Sequence, residues 1–260
     1  MTSHLAAQPG RIEAYLARIG VTDAVLAPTP DVLARLHLAH LEAVPFENLS
    51  IHAGEAIQLD AGWLYDKIVG RRRGGFCYEL NGLFAELLAA LGFRVERLAA
   101  RVFGDGGALG IPFDHMCLRV DGTWLADVGF GDSTIRPLRL DDRGDQGDGR
   151  RTFRIAEDGP GAGVLHDEGR PVFRFELAPF ALADFAPGCH HHQTSPDSHF
   201  TRSRVVSRLT PGGRLTLRDD RLITTDAAGL KTEAPIADAA EWRRLAAEHF
   251  GLVDGGVLAL

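Results

Sequence analysis

One cysteine of this 260-residue chain stands in a segment that could supply a nucleophile. The segment, residues 71–81, reads RRRGGFCYELN, and Cys77 follows two glycines and a phenylalanine. Apolar residues then recur every three or four positions, which predicts a helix that starts at Cys77 and ends before Gly92. A helix N-terminus favours negative charge and the thiolate is the reactive form of cysteine, so we expect Cys77 to be a nucleophile.

A base and an orienting acid follow along the chain. His115 and Asp127 lie in strand-like runs on either side of an Asp-Gly dipeptide, which is typical of a hairpin turn. A three-residue loop of residues 120–122 would place the two side chains directly opposite each other, whereas a two-residue turn would separate them. We therefore predict the three-residue loop and a Cys-His-Asp triad, in which His115 removes the proton of Cys77 and Asp127 orients the imidazole.

Each of these residues also has a simpler interpretation. A lone cysteine more often packs in a core, His115 could be a half-buried strand histidine, and Asp127 could belong to a turn. The register that brings the pair together favours the triad. Asp114, although adjacent to His115, should point to the other face of its strand and is a poor candidate for the orienting acid.

Four segments together closely resemble the arylamine N-acetyltransferase family, in which the cysteine is acetylated. They keep the family's order and are 43–49 (AVPFENL), 72–81 (RRGGFCYELN), 127–131 (DVGFG) and 195–200 (SPDSHF). The resemblance spans roughly residues 10–205 and is weak beyond them. It implies acetyl-CoA as acyl donor, a small aromatic amine or hydrazine as acceptor, no metal, and ping-pong transfer through an acetyl-cysteine thioester.

The resemblance also implies binding residues. Phe46, Val102 and Phe130 would line the aromatic acceptor pocket, and Gly129 and Gly131 would allow close approach of the acyl-CoA chain. Core packing is the alternative for Phe46 and Phe130.

The apolar pattern predicts an α+β protein, helical in its first third and strand-rich from Phe93 onward. The resemblance implies an N-terminal helical bundle, a central β-barrel and a C-terminal α/β lid around a cysteine-protease-like Cys-His-Asp core. We place these parts at residues 1–92, 93–203 and 204–260. The glycine-rich, charged stretches 141–151 and 157–169 are predicted to be connectors.

Histidines outside the triad form two groups. A run of three, residues 190–192, departs from the family's pattern, as does Asp114, and these departures bear on acceptor preference. On an extended strand the first and third histidines of the run would share one face, which allows at most a partial metal site, so we expect none. His37 and His40, one helical turn apart, should pack within the helices or lie on the surface.

Composition narrows the function further. The net charge of −7 disfavours a nucleic-acid binder, and three cysteines without a framework spacing fit a reducing compartment. No apolar stretch is long enough to cross a bilayer, so we expect a cytoplasmic protein without a membrane partner.

The basic run 71–73 is either a solvated loop or a source of positive potential near the nucleophile. The oligomeric state is not indicated.

Three other functions use a similar site. An amide synthase of the same fold would close a macrolactam on a carrier-bound polyketide, without a need for CoA. Thiol hydrolases and transglutaminases also use Cys, His and Asp in this order, but they lack the Arg-Gly-Gly-aromatic-Cys and Asp-Val-Gly-Phe-Gly segments. A ligand-binding relative with an idle triad would form no thioester with any acyl donor.

Overall fold

The computed structural model describes residues 4–23 and 26–253. The helices are α1 (Arg11–Arg18), α2 (Pro30–Ala43), α3 (Leu49–His52), α4 (Ala61–Tyr65), α5 (Cys77–Ala90), α6 (Ala186–Thr194), α7 (His199–Arg202) and α8 (Ala239–Phe250). The strands are β1 (Phe46–Glu47), β2 (Val95–Val102), β3 (His115–Val120), β4 (Trp124–Ala126), β5 (Leu138–Arg139), β6 (Gln146–Gly147), β7 (Thr152–Glu157), β8 (Ala162–Asp167), β9 (Arg170–Phe180), β10 (Val205–Thr210), β11 (Gly213–Arg218), β12 (Arg221–Asp226) and β13 (Lys231–Pro235).

Helix starts follow local signals in the sequence. Thr29 and Asp60 cap α2 and α4 by accepting hydrogen bonds from backbone N–H groups of the first turn. Before α5, the carboxylate of Glu79 reaches back to accept the backbone N–H of Phe76 at 3.1 Å. The helix predicted from apolar spacing is confirmed, since α5 begins at Cys77.

Helix α5 is the central element of the N-terminal helices. Every residue from Cys77 to Leu88 is buried, because other helices pack on one side and strands β2 and β3 on the other. Within the described residues, no helix combines the length and apolar character needed to cross a bilayer.

Eight strands form one antiparallel sheet in the order β5-β4-β3-β2-β9-β8-β7-β6. Its two edge strands meet through the side-chain amide of Gln146, which accepts the backbone N–H of Arg139 at 2.7 Å and donates to its carbonyl at 2.9 Å. The sheet is therefore nearly closed, and its interior is filled by aromatic and aliphatic side chains such as Phe153 and Phe173. The predicted barrel is thus a barrel-like sheet closed by one amide.

A second antiparallel sheet has the order β1-β10-β11-β12-β13. Helix α8 covers it through Trp242 and Phe250. Its edge strand β1 comes from the N-terminal part of the chain, where Phe46 pairs with Ser207. This pairing holds Phe46 at the junction of the N-terminal helices with the C-terminal sheet.

One predicted connector is wrong. Residues 157–169 contain strand β8, which pairs on both sides within the eight-stranded sheet. Gly161 and Gly169 take positive φ angles of 77° at the two ends of this strand. The glycines thus mark tight turns between strands rather than a long loop.

Candidate active site

Strands β3 and β4 carry His115 and lead to Asp127. Val120 pairs with Trp124, so the hairpin loop comprises residues 121–123. The loop has the predicted length, but it starts one residue later than predicted. Val120 is fully buried in the core, and this burial keeps it in the strand and sets the register.

The observed register differs from the predicted one by two residues, which keeps both side chains on one face of the sheet. Asp127 lies just past the end of β4 and approaches His115 diagonally rather than from directly opposite. Nε2 of His115 is 2.7 Å from Oδ2 of Asp127, and both residues are 3% exposed. The expected contact is present although the expected pairing is wrong.

Asp127 is held as an anion. Its Oδ1 accepts hydrogen bonds from Nδ2 of Asn81 at 2.8 Å and from the backbone N–H of Gly129 at 2.9 Å. Burial alone would raise the pKa of Asp127, but the charge of His115 and these hydrogen bonds hold it below its usual range. Because Nε2 of His115 donates to this carboxylate, Nδ1 is the ring nitrogen that can accept a proton.

Cys77 opens helix α5 and is 4% exposed. It belongs to the same buried cluster as Met116, the residue after His115. Gly129 packs against the cysteine so closely that a Cβ there would come within 2.7 Å of the Cys77 Cα atom. Cys77 therefore lies between the strand of His115 and the loop that follows Asp127.

The electrostatics of Cys77 differ from the expectation. Burial raises the pKa of its thiol well above the ordinary value, and the charge of Asp127 adds to the rise. The thiol therefore lacks the lowered pKa that its place at a helix N-terminus led us to expect. Burial raises the pKa of Cys117 and Cys189 as well, so position rather than acidity distinguishes Cys77.

Two polar residues of helix α5 fix this arrangement. The hydroxyl of Tyr78 donates to the carbonyl of Phe113 at 2.7 Å, just before β3. Asn81 donates to the carbonyl of Met116 at 2.7 Å and accepts the backbone N–H of Val128 at 2.9 Å. Neither residue was predicted to support the site, although polar side chains within an apolar helix are a signal of such a role.

A buried charge network supports the segment before the cysteine. Lys67 Nζ lies 2.6 Å from Oε1 of Glu79, and Arg73 Nη2 lies 2.7 Å from Oε1 of Glu47. None of these four side chains is more than 7% exposed. The arginine nearest the cysteine is therefore neutralised by an ion pair, and the basic run supplies structure rather than a free positive field at this position.

Helix α2 lies behind Asp127. Nε2 of His37 accepts the backbone N–H of Asp127 at 3.2 Å, and burial lowers the pKa of this histidine to about 4, which keeps it a neutral acceptor. His40, one turn further, is buried with its ring 5.3 Å from that of Phe84. The packing interpretation of this pair is confirmed, and the link of His37 to the site is new.

A cavity of about 280 Å³ opens between the loop after β4, helix α7 and the C-terminal sheet. Phe46, Phe130 and Gly131 lie on its wall, whereas Val102 and Cys77 are not among its lining residues. The ring of Phe130 stands 5.2 Å from that of His115, which is not among the lining residues of the cavity. Arg214, Arg218 and Lys231 are among the polar lining residues.

The histidine run lies in helix α6 and not on an extended strand. Its last member, His192, hydrogen-bonds Oδ1 of Asp114 through Nε2 at 2.9 Å. Asp114 therefore points away from His115, as predicted. No group of three or more histidine, cysteine or acidic side chains suited to a metal ion occurs in the described part of the chain.

Comparison with known proteins agrees with this geometry. A family model described as N-acetyltransferase matches residues 29–255. The chain is 35% identical over 234 residues to the arylamine N-acetyltransferase / N-hydroxyarylamine O-acetyltransferase of Salmonella typhimurium, covering 86% of this chain and 83% of that protein.

Solved structures show the same similarity. The arylamine N-acetyltransferase from Salmonella typhimurium has a TM-score of 0.87 and 32% identity, covering 94% of this chain and 92% of its own. The Mycobacterium marinum arylamine N-acetyltransferase in complex with CoA has a TM-score of 0.84 and 32% identity, covering 95% and 96%. The chain therefore belongs to the arylamine N-acetyltransferase family.

Proposed function

We propose that this enzyme transfers an acetyl group from acetyl-CoA to small aromatic amines or hydrazines through a thioester on Cys77. The observation that carries the proposal is the 2.7 Å contact of His115 with Asp127, together with Gly129, which hydrogen-bonds Asp127 and packs against Cys77 at the start of a buried helix. The CoA complex of the Mycobacterium marinum relative supports acetyl-CoA as donor.

In the first half-reaction, Nδ1 of His115 takes the proton of the Cys77 thiol. The thiolate attacks the acetyl carbonyl carbon, a new C–S bond forms, and the bond to the CoA sulfur breaks. CoA leaves as a thiol after taking the proton back from His115. Asp127 stabilises the imidazolium that exists between these steps, and the backbone N–H of Cys77 is a candidate donor to the oxyanion.

In the second half-reaction, the amine nitrogen attacks the thioester carbonyl. Its proton passes to His115 as the N–C bond forms, and the C–S bond to Cys77 breaks. The thiolate that leaves recovers a proton from His115, which restores the resting enzyme and releases the amide.

We assign the acceptor pocket to Phe46, Val102 and Phe130, and the approach of the acyl chain to Gly129 and Gly131. Phe46 and Phe130 share a cavity wall with Gly131, which supports the assignment for these three. Val102 lies on β2, where its N–H donates to Asp114, so any effect on the pocket would pass through that strand. For Gly129, close packing against Cys77 is an additional reason to lack a side chain.

The macrolactam-forming amide synthase was the alternative within this fold. The Salmonella typhimurium and Mycobacterium marinum relatives both carry the name arylamine N-acetyltransferase, which favours acetyl transfer.

Mass spectrometry of the intact protein tests the proposal. Incubation with acetyl-CoA should add one acetyl group, peptide mapping should place it on Cys77, and 4-aminobenzoate or a hydrazine should remove it. Cys77→Ser should gain none, whereas Cys117→Ala and Cys189→Ala should be acetylated as the wild type is. Acetylation that survives Cys77→Ser, or no acetylation of the wild type, would refute the thioester mechanism. A longer acyl thioester would then test the amide synthase.

A further inference from the structure

Apart from the acetyl-transfer site, the structure contains a second hydrogen-bonded chain of an acid, an imidazole and a hydroxyl. Oδ1 of Asp114 lies 2.9 Å from Nε2 of His192, and Nδ1 of the same ring lies 3.0 Å from Oγ of Ser198. His192 and Ser198 are 5% and 3% exposed. Buried polar groups need hydrogen-bond partners, so each group in this series has a defined role as donor or acceptor.

The partners at both ends set these roles. Asp114 also accepts the backbone N–H of Val102 at 3.1 Å, so it is the acceptor end. Nε2 of His192 then carries the proton that is donated to Asp114, and Nδ1 accepts from the hydroxyl of Ser198. Oγ of Ser198 in turn accepts the backbone N–H of Phe200 at 3.2 Å.

The two ends of this hydrogen-bonded series, Asp114 and Ser198, lie at different parts of the candidate site. Asp114 directly precedes His115 along the chain. Ser198 caps helix α7, and Phe200 on that helix lines the cavity, with its ring 6.0 Å from that of Phe46. The hydrogen bonds therefore connect the start of the catalytic strand with the aromatic wall of the cavity.

The imidazole also packs against this wall. Its ring centroid lies 5.3 Å from that of Phe200 and 6.2 Å from that of Tyr78. The hydroxyl of Ser198 is buried and engaged both as donor and as acceptor, which argues against a second nucleophile. A positioning role accounts for both the hydrogen bonds and the ring contacts.

We propose that Asp114, His192 and Ser198 are positioning residues that hold Phe200 in place relative to His115 and thereby determine how an aromatic acceptor sits for attack on the thioester. The inference rests on the proposed acetyl transfer, because it assigns Phe200 to the acceptor side of that reaction.

The two half-reactions provide the test. In His192→Gln, the rate constant for discharge of acetyl-Cys77 by a low concentration of 4-aminobenzoate should fall about ten-fold more than the rate constant for acetylation by acetyl-CoA. Ser198→Ala should show the same split, and Ser198→Thr, which keeps a hydroxyl, should restore discharge. His190→Gln, an exposed change on the same helix, should alter neither rate.

A double variant tests whether the residues act as one unit. Asp114→Asn combined with His192→Gln should discharge within about two-fold of the slower single variant, because either change breaks the same connection. The proposal would be overturned if the effects of the two single changes on the discharge rate multiplied in the double variant. It would also be overturned if His192→Gln discharged at the wild-type rate, or if both half-reactions slowed equally.

Hydrogen exchange gives a readout that needs no activity. The backbone N–H of Phe200 should exchange about ten-fold faster in His192→Gln than in the wild type, and at the wild-type rate in His190→Gln. If the wild type forms no acetyl-enzyme, the proposed function fails, but this exchange still tests the positioning of Phe200. Unchanged protection of Phe200 in His192→Gln would refute the positioning role.

Discussion

Asp127 determines which nitrogen of His115 is available for chemistry. Its Oδ1 is occupied by donors from Asn81 and Gly129, so only Oδ2 faces Nε2 of His115. This division gives the imidazole one orientation and one tautomer. The tautomer of His115 is therefore sensitive to replacement of a single carboxylate oxygen of Asp127 by an amide nitrogen.

Asp127→Asn should therefore lower kcat by about 10³–10⁴-fold. The amide oxygen would keep the donors from Asn81 and Gly129, so the amide nitrogen would face Nε2 of His115 and force the proton onto Nδ1. That tautomer cannot accept the proton of Cys77. Rapid-mix acetylation measures the effect, and circular dichroism checks that the fold persists. Near-normal acetylation would remove Asp127 from this role.

His37 and His40 form a matched pair one helical turn apart. His37→Leu should cost about 1–3 kcal/mol of stability and reduce kcat, because the buried N–H of Asp127 loses its acceptor. His40→Leu should be neutral or stabilising with normal kcat, since both ring nitrogens of His40 lack a hydrogen-bond partner within the described residues. Urea unfolding and steady-state kinetics on both variants measure the contrast. Equal effects would contradict it.

At the scale of secondary-structure elements, helix α5 is the platform of the site. Its first residue carries the thiol, and one turn later Asn81 joins the helix to strand β3 and to the loop after β4. The helix thus aligns the thiol of Cys77 with the His115–Asp127 pair through the hydrogen bonds of Asn81.

Asn81→Ala should lower stability by about 2–4 kcal/mol and kcat by at least about ten-fold. The carbonyl of Met116 and the N–H of Val128 would be left unpaired in a buried place, and Asp127 would lose one donor. Thermal unfolding and kinetics measure both losses. A variant with normal kcat would show that the strand holds its position without this side chain.

The buried ion pairs that hold the segment before α5 lead to a prediction about stability. Lys67→Met should cost about 3–5 kcal/mol, because the buried Glu79 would lose its ion pair and Glu47 would keep only Arg73. Adding Glu79→Gln should recover part of this loss, since the amide oxygen can still accept the N–H of Phe76. Chemical denaturation of the two variants decides this. A double variant less stable than Lys67→Met alone would contradict the ion-pair explanation.

At the scale of the whole molecule, neutral histidines in the core couple stability to pH. Burial lowers the pKa of His37 to about 4 and that of His40 to about 3, whereas both take up protons near pH 6.5 once unfolded. The unfolded chain therefore binds more protons between these values, and acidification favours it.

The free energy of unfolding should accordingly be nearly constant above pH 7 and should fall as pH drops from about 6.5 toward 4, by about 3 kcal/mol for His37 alone. Below pH 4, protonation of Asp127, whose pKa is held low, removes further stability. Urea titrations from pH 5 to 8 measure the slope, which should be shallower in His40→Leu. A flat profile would contradict the buried neutral state of both histidines.

Local patterns in the sequence determined much of the architecture. The start of α5 at Cys77 and the change from helices to strands after Phe93 agree with the prediction, because apolar periodicity and β-branched residues act over short distances. The segment motifs identified the family, and the requirement that His115 and Asp127 share one face of the hairpin predicted the length of its loop. The strand within 157–169 was missed because its flanking glycines imitate a loop.

The hairpin register, the pKa of Cys77 and the long-range hydrogen bonds of the site depend on packing, so only the tertiary structure decided them. Burial of Val120 set the hairpin register, and burial raises the pKa of Cys77 above its ordinary value. The contacts of His37 with Asp127 and of Asp114 with His192 join residues 90 and 78 positions apart, at distances where no local pattern operates. Such partners become neighbours only when helices and sheets pack, so they could not be derived from spacing along the chain.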